Sequence, residues 1–230
     1  MSRPAVATRL SEAARLLAAR FGRPRRSAHA IDPVRNLVLT ILSQNTNDAN
    51  RDRAFASLMS RFPTLPSLAG AKPAEVESSI RAGGLARAKA KAILSMLARL
   101  SEERGGYDLS FLGRMPLPEA RAYLTGFPGI GVKTASVVLL FSFGRPAFPV
   151  DTHILRVSKR LGLVPPSCDA ARATFLMEPH VPAGGHVALH LNMIRLGREI
   201  CRPRDPRCPE CPLLPICPEG RRRTGSGGRG

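Results

Sequence analysis

Four of the five cysteines in this 230-residue chain fall within seventeen residues, spaced Cys201-x6-Cys208-x2-Cys211-x5-Cys217. Nothing else in that stretch resembles a core, so something other than apolar burial must organise it. The chain carries no secretory signal, and closely spaced thiols in such a chain read as metal ligands rather than disulfides. Four thiolates suit tetrahedral zinc or a [4Fe–4S] cluster. Zinc sites commonly use two Cys-x2-Cys knuckles and here there is one, so spacing alone leaves both open. Cys168 lies outside the set and reads as an unligated thiol.

The remaining sequence has helical apolar periodicity and no period-two strand. Asp32-Pro33 is a cap and first-turn pair, opening a helix with Val34, Leu37, Val38, Ile41 and Leu42 on one face. A second helix is predicted over Asp48–Arg61, after which Pro63 and Pro66 break the pattern. Others are predicted over 73–81, 86–100, 118–124, 133–141, 152–161, 170–177 and 185–200. Leu10, Leu16, Leu17 and Phe21 among Arg3, Arg9, Arg15 and Arg20 predict an amphipathic first helix rather than a transit peptide. The fold class is therefore all-α, with about ten helices joined by turns bearing Pro and Gly. No apolar run approaches the roughly 20 residues that cross a bilayer, so no membrane partner is expected.

Charge narrows the partner. The formal charge is +18; four Arg and one Glu in residues 218–230 account for +3, leaving +15 on the rest. Duplex nucleic acid, with one negative charge per about 1.7 Å, is the partner that fits such a surface. Thirty of the basic residues are Arg and five are Lys, namely Lys72, Lys89, Lys91, Lys133 and Lys159. Arg already supplies phosphate contacts, so a Lys inside a motif invites amine chemistry that guanidinium cannot do.

Such a motif is Leu124-Thr-Gly-Phe-Pro-Gly129-Ile130-Gly131-Val-Lys133-Thr134-Ala135. Glycines around one apolar residue permit positive φ, turn successive N–H groups outward and start a helix with its partial positive end exposed. That is a phosphate-binding device, and it places Gly129, Ile130 and Gly131 against DNA. A bare Gly-x-Gly is weak, but a preceding helix and the Pro-Gly-Ile-Gly core strengthen it.

Over nearly its whole length the chain resembles the endonuclease III family of helix-hairpin-helix DNA glycosylases. Lys133 follows the hairpin, Gly144 and Pro146 occupy the next loop, and Val150-Asp151-Thr152-His153 comes after it, in the family's order. The resemblance implies a bifunctional DNA glycosylase and abasic-site lyase of base excision repair. In it Lys133 attacks C1′ of an oxidised pyrimidine nucleotide, nicking follows by β-elimination, and Asp151 stabilises the cationic sugar. In isolation Asp151 reads equally as an N-cap of the following helix, and the two roles are compatible. The 6-2-5 cysteine spacing resembles the family's [4Fe–4S] motif, with Cys201, Cys208, Cys211 and Cys217 as ligands. Arg202, Arg204 and Arg207 would then form a basic lobe.

The same resemblance implies two domains: residues 1–25 with 146–217 around the cluster, and a helical barrel over 26–145 with the hairpin at about 118–142. Residues 218–230 are expected as a disordered basic tail. Gln44 and Asn45 occupy the loop that fills the space left by an extruded base, and the sequence leaves open which one does so. Leu85 is either a second wedge or the start of the next helix's apolar face, Asp48 lines the pocket or caps a helix, and His153 contacts DNA or packs internally. The partner is double-stranded DNA with damaged bases or abasic sites, bound by a monomer, and the composition suggests a bacterial cytoplasm. A monofunctional mismatch glycosylase of the same fold and a non-catalytic metal-containing DNA-binding protein are the competing classes.

Overall fold

The computed structural model describes residues 3–25 and 32–225. Among them there are twelve α-helices and no strand. The chain divides into two compact units, Met1–Ser27 with Pro146–Gly230 and Ala28–Arg145.

In the central unit, α1 having preceded it at Arg3–Phe21, the helices are α2 (Pro33–Leu42), α3 (Asp48–Arg61), α4 (Leu65–Ala69), α5 (Pro73–Ser79), α6 (Ala86–Arg104), α7 (Leu117–Thr125) and α8 (Val132–Phe141). Asp32 caps α2 as its sequence requires, Oδ1 accepting from the N–H groups of Val34 and Arg35 at 3.0 and 2.9 Å. The stripe Val34, Leu37, Val38, Ile41, Leu42 is fully buried, and α2 packs on α3, α6 and α8. The sequence reading took Pro63 and Pro66 as a break and so overlooked α4. Proline near a helix start lacks only an N–H that is orphaned there anyway, and Thr64 and Ser67 complete a capping box.

The other unit contains α1 with α9 (Thr152–Arg160), α10 (Ala170–Met177), α11 (His186–Glu199) and α12 (Pro218–Arg223). Leu10, Ala13 and Leu17 of α1 are buried with Ile154, Val157, Leu189, Met193 and Leu196. Asn192 ties the end of α1 by donating to the Gly22 carbonyl at 2.9 Å. The tail expected to be disordered is instead helical over Pro218–Arg223: Glu219 pairs with Arg222 and Arg223 at 2.9 and 2.7 Å. Residues 226–230 of that tail, and the expected boundary between 25 and 26, reach outside the described residues. No described helix is long and apolar enough to cross a membrane.

Candidate catalytic and nucleic-acid site

The hairpin lies in the central unit between α7 and α8. Gly129 turns the chain at φ +79, a region closed to most side chains, and a Cβ there would touch Ala92 at 3.5 Å. Gly131 precedes α8 in extended backbone with φ −91 and ψ 177. It is exposed, with open space where a side chain would project. The first N–H groups of α8 therefore face outward without intrahelical acceptors. Ile130 departs from the expectation. Its side chain is 4% exposed and its N–H donates to Phe127 O at 3.1 Å, so it anchors the turn and offers nothing to a phosphate. Arg99 braces the turn from below, stacking on the Phe127 ring at 4.7 Å and donating to Gly126 O at 2.8 Å.

Lys133 stands in the first turn of α8, exposed, and its amine has no hydrogen bond or ion pair among the described residues. Two further loops flank the same unit. Gln44 donates from Nε2 to Gly129 O at 2.8 Å, so it is tied to the hairpin. Asn45 is exposed at a left-handed φ of 51. Of the two it is the one whose side chain makes no hydrogen bond among the described residues. Leu85 is 60% exposed at φ 49. It therefore does not begin an apolar helix face; a large apolar side chain is held there in left-handed backbone and exposed to solvent. Asp48 is exposed and pairs with Arg51 at 3.0 Å. The cap of α3 is Asn47, whose Oδ1 accepts from Asn50 N at 2.8 Å, so the capping alternative for Asp48 is corrected.

Asp151 belongs to the other unit. It caps α9, Oδ1 accepting from Ile154 N at 2.8 Å, while Oδ2 has no described partner. One oxygen is committed to the cap and the other carries no hydrogen bond among the described residues. The preceding Ala147, Phe148 and Val150 are buried and held by two residues that sequence reasoning missed. Glu178 Oε2 accepts from Phe148 N at 2.8 Å, and His190 Nδ1 bonds Pro149 O at 2.9 Å. His153 is half-buried, packed on Gly197, and its Nδ1 accepts from Arg156 at 3.2 Å. Burial lowers its pKa below the usual histidine value, the Arg156 and Arg198 charges adding to this and Asp151 opposing it. The surroundings favour its internal-packing role.

In the same unit Cys201, Cys208, Cys211 and Cys217 all line one small cavity of about 20 Å³, together with Ile200, Leu214 and Gly220. None is in a disulfide. Arg160 donates to Cys201 Sγ at 3.3 Å, and Gly220 N donates to Cys217 Sγ at 3.3 Å. Burial pushes the Cys211 thiol up to about 11, the neighbouring cysteine sulfurs adding to it. Four thiolates there require a compensating cation. Arg207 donates to Glu210 at 2.9 Å and to Glu199 O at 2.7 Å, and Arg202 and Arg204 are exposed. Cys168 is buried apart from the set.

The profile of the HhH-GPD superfamily of base excision DNA repair proteins matches residues 38–182. Endonuclease III of Thermotoga maritima is 36% identical over 223 residues, 95% of this chain and 96% of its own. A homologue from Arabidopsis thaliana is 40% identical over 146 residues, 64% of this chain and 50% of its own. Among solved structures, a trapped covalent intermediate of endonuclease III with DNA, an estranged-adenine complex, superposes with a TM-score of 0.77 at 30% identity. It covers 97% of this chain and 99% of that one.

Proposed function

The chain belongs to the endonuclease III family within the HhH-GPD superfamily of base excision DNA repair proteins, and from that premise we propose how its residues divide the work of a DNA glycosylase and lyase. The substrate is duplex DNA holding an oxidised pyrimidine or an abasic site, bound by a monomer. Backbone N–H groups at the start of α8 grip a phosphate beside the lesion. Asn45 and Leu85 enter the stack as the damaged nucleotide turns out.

Lys133 supplies the nucleophile. Its neutral Nζ forms a bond to C1′ as the glycosidic bond breaks, and the base leaves with the electron pair and takes up a proton. Loss of the amine proton and opening of the sugar ring give an imine. The imine acidifies C2′–H; removal of that proton expels the 3′ phosphate and nicks the strand. Asp151 carries the negative charge that steadies the cationic sugar, through the oxygen not used as a cap, and accepts the amine proton.

The four cysteines fit a [4Fe–4S] cluster better than one zinc ion. Four sulfurs line one cavity, and the 6-2-5 spacing that resembles the family's [4Fe–4S] motif is what favours the cluster. When bound, the cluster supplies thiolate cross-links that hold a loop lacking its own apolar core. Iron and sulfide analysis with a visible absorption spectrum tests it; stoichiometric zinc without iron refutes it.

The observation that carries the reading is the exposed, unpartnered Lys133 two residues beyond Gly131. Borohydride reduction during reaction with a duplex containing thymine glycol or an abasic site traps a covalent complex in wild type and none in Lys133→Gln. An adduct of equal yield in that variant refutes the assignment.

A further inference from the structure

Lys89 sits one turn into α6, and it is buried with 3% of its surface exposed. Its ammonium has no carboxylate partner among the described residues. Instead Nζ donates to Leu42 O at 2.8 Å and to Gly83 O at 2.8 Å. Those two carbonyls are not equivalent to others in the unit. Leu42 is the last residue of α2, immediately before the loop carrying Gln44 and Asn45. Gly83 ends the 3-10 turn Arg81–Gly83, immediately before Gly84 and Leu85. One cation therefore holds the root of each loop, at the carbonyl ends of two helical segments, where orphaned acceptors and the helix dipole both favour positive charge.

The surrounding geometry shows why this matters. Both loops carry backbone that relaxes readily: Asn45 at φ 51, Gly84 at φ 69 and Leu85 at φ 49. Strained non-glycine positions persist only where neighbours over-determine them. The Gly83 root is also sterically closed, since a Cβ there would lie 3.2 Å from Ala54 Cβ and 3.9 Å from Lys89 Nζ. Burial lowers the Lys89 pKa with no charge to offset it, so the position costs the fold free energy that an apolar side chain of equal length would not. Stability alone does not account for a lysine here.

We propose that Lys89 is a positioning residue that fixes the Asn45 loop and the Leu85 loop in one register, so that both enter the DNA stack together. This rests on the glycosylase reading for its consequence and on geometry for its cause. Hydrogen bonds to a charged donor are worth roughly 10- to 100-fold in an opening equilibrium. In DNA-free Lys89→Met, amides of residues 43–47 and 84–85 should accordingly exchange with solvent at least about tenfold faster. The amides of α7 and α8 should keep their wild-type rates. Unchanged exchange in either loop, or equal acceleration throughout the unit, overturns the proposal. If Lys89→Met does not fold, Lys89→Gln, which keeps two N–H donors on a neutral head, is read by the same measure and must show acceleration confined to the two loops.

The consequence is read on DNA. Single-turnover base release is measured against each of the four opposite bases. Lys89→Met should compress the ratio between the best and worst opposite base, because the loops that sense the vacated position no longer move as one. A simple loss of folded enzyme scales all four rates equally and leaves the ratio intact, which overturns the positioning role. A wild type that releases no base from any duplex defeats the glycosylase reading instead, while the exchange result still decides whether Lys89 clamps the loops.

Discussion

Replacing Gly197 by Ala tests how tightly the fold positions Asp151. Gly197 is on α11, and a Cβ there would lie 2.8 Å from His153 Cβ and 3.3 Å from His153 Cα. Carbon atoms make ordinary contact from about 3.5 Å, so the helices must separate by about 0.7 Å. The obstructing atoms are rooted in backbone, so no flexible side-chain tip can yield, which places the strain near the top of the usual range of about 1–3 kcal/mol. Alanine over glycine inside a helix returns about 1 kcal/mol. The net loss is then about 2 kcal/mol, a fall of about 4–8 °C in melting temperature. His153 lies two residues beyond Asp151 in the first turn of α9, so the displacement reaches the carboxylate. A misplacement of about 1 Å costs about 100-fold in rate, and about 0.7 Å should slow single-turnover base release by more than about tenfold. Gly106→Ala, where nothing lies within 4 Å, is the control. If Gly197→Ala melts at or above the wild-type temperature and releases base at the wild-type rate, the steric reasoning fails.

Other outcomes follow from the same geometry. Asp151→Asn keeps an equally good cap, so its melting temperature should match wild type while base release falls by at least about 100-fold; parallel loss of both would make Asp151 a cap alone. Leu85→Gly relieves left-handed strain of about 1–2 kcal/mol against a glycine entropy cost of about 0.5–1. It should therefore hold or raise the melting temperature yet slow base release, and a wild-type rate would remove Leu85 from the wedge role. Gly131→Ala meets no neighbour within the protein and should fold normally, but its methyl group occupies the approach to the N–H groups. Duplex affinity measured by anisotropy should weaken by about tenfold, and an unchanged Kd would show that no phosphate comes that close.

Much of the fold was legible because helical periodicity and caps are local. Asp32 before Pro33 and Asp151 before Thr152 each announce a helix start within four residues, whereas at α3 the sequence offered Asp48 and the cap is its neighbour Asn47. The two missed helices have local reasons too. Pro66 reads as a breaker until Thr64 and Ser67 are recognised as a capping box around it. The basic tail reads as disordered until Glu219 is seen to pair with Arg222 and Arg223 one turn away. The place of Lys133 in the first turn of α8 and the convergence of the four cysteines were legible because both follow from residue type at short spacing. Ile130 was misjudged because the motif fixes the turn without saying which of its groups face outward.

The residues that hold the site in place were not legible, and the reason is chemical. Lys89 bonds the carbonyls of Leu42 and Gly83, His190 that of Pro149, and Arg145 those of Leu112, Gly113 and Met115. In each case the acceptor is backbone, which every residue possesses, so the acceptor position carries no compositional mark. The donor is a common surface residue whose anchoring role becomes apparent only once segments up to 47 positions apart are brought together. A carboxylate partner would have left a second charged residue to notice. A carbonyl leaves none, and it also fixes the main chain itself rather than a side chain that can swing away. For loops proposed to enter DNA in a set register, backbone anchorage is thus the stronger constraint and the less visible one. Gly197 is the extreme case, since its contribution is the absence of any side chain, and only the 2.8 Å approach to His153 shows why nothing larger fits.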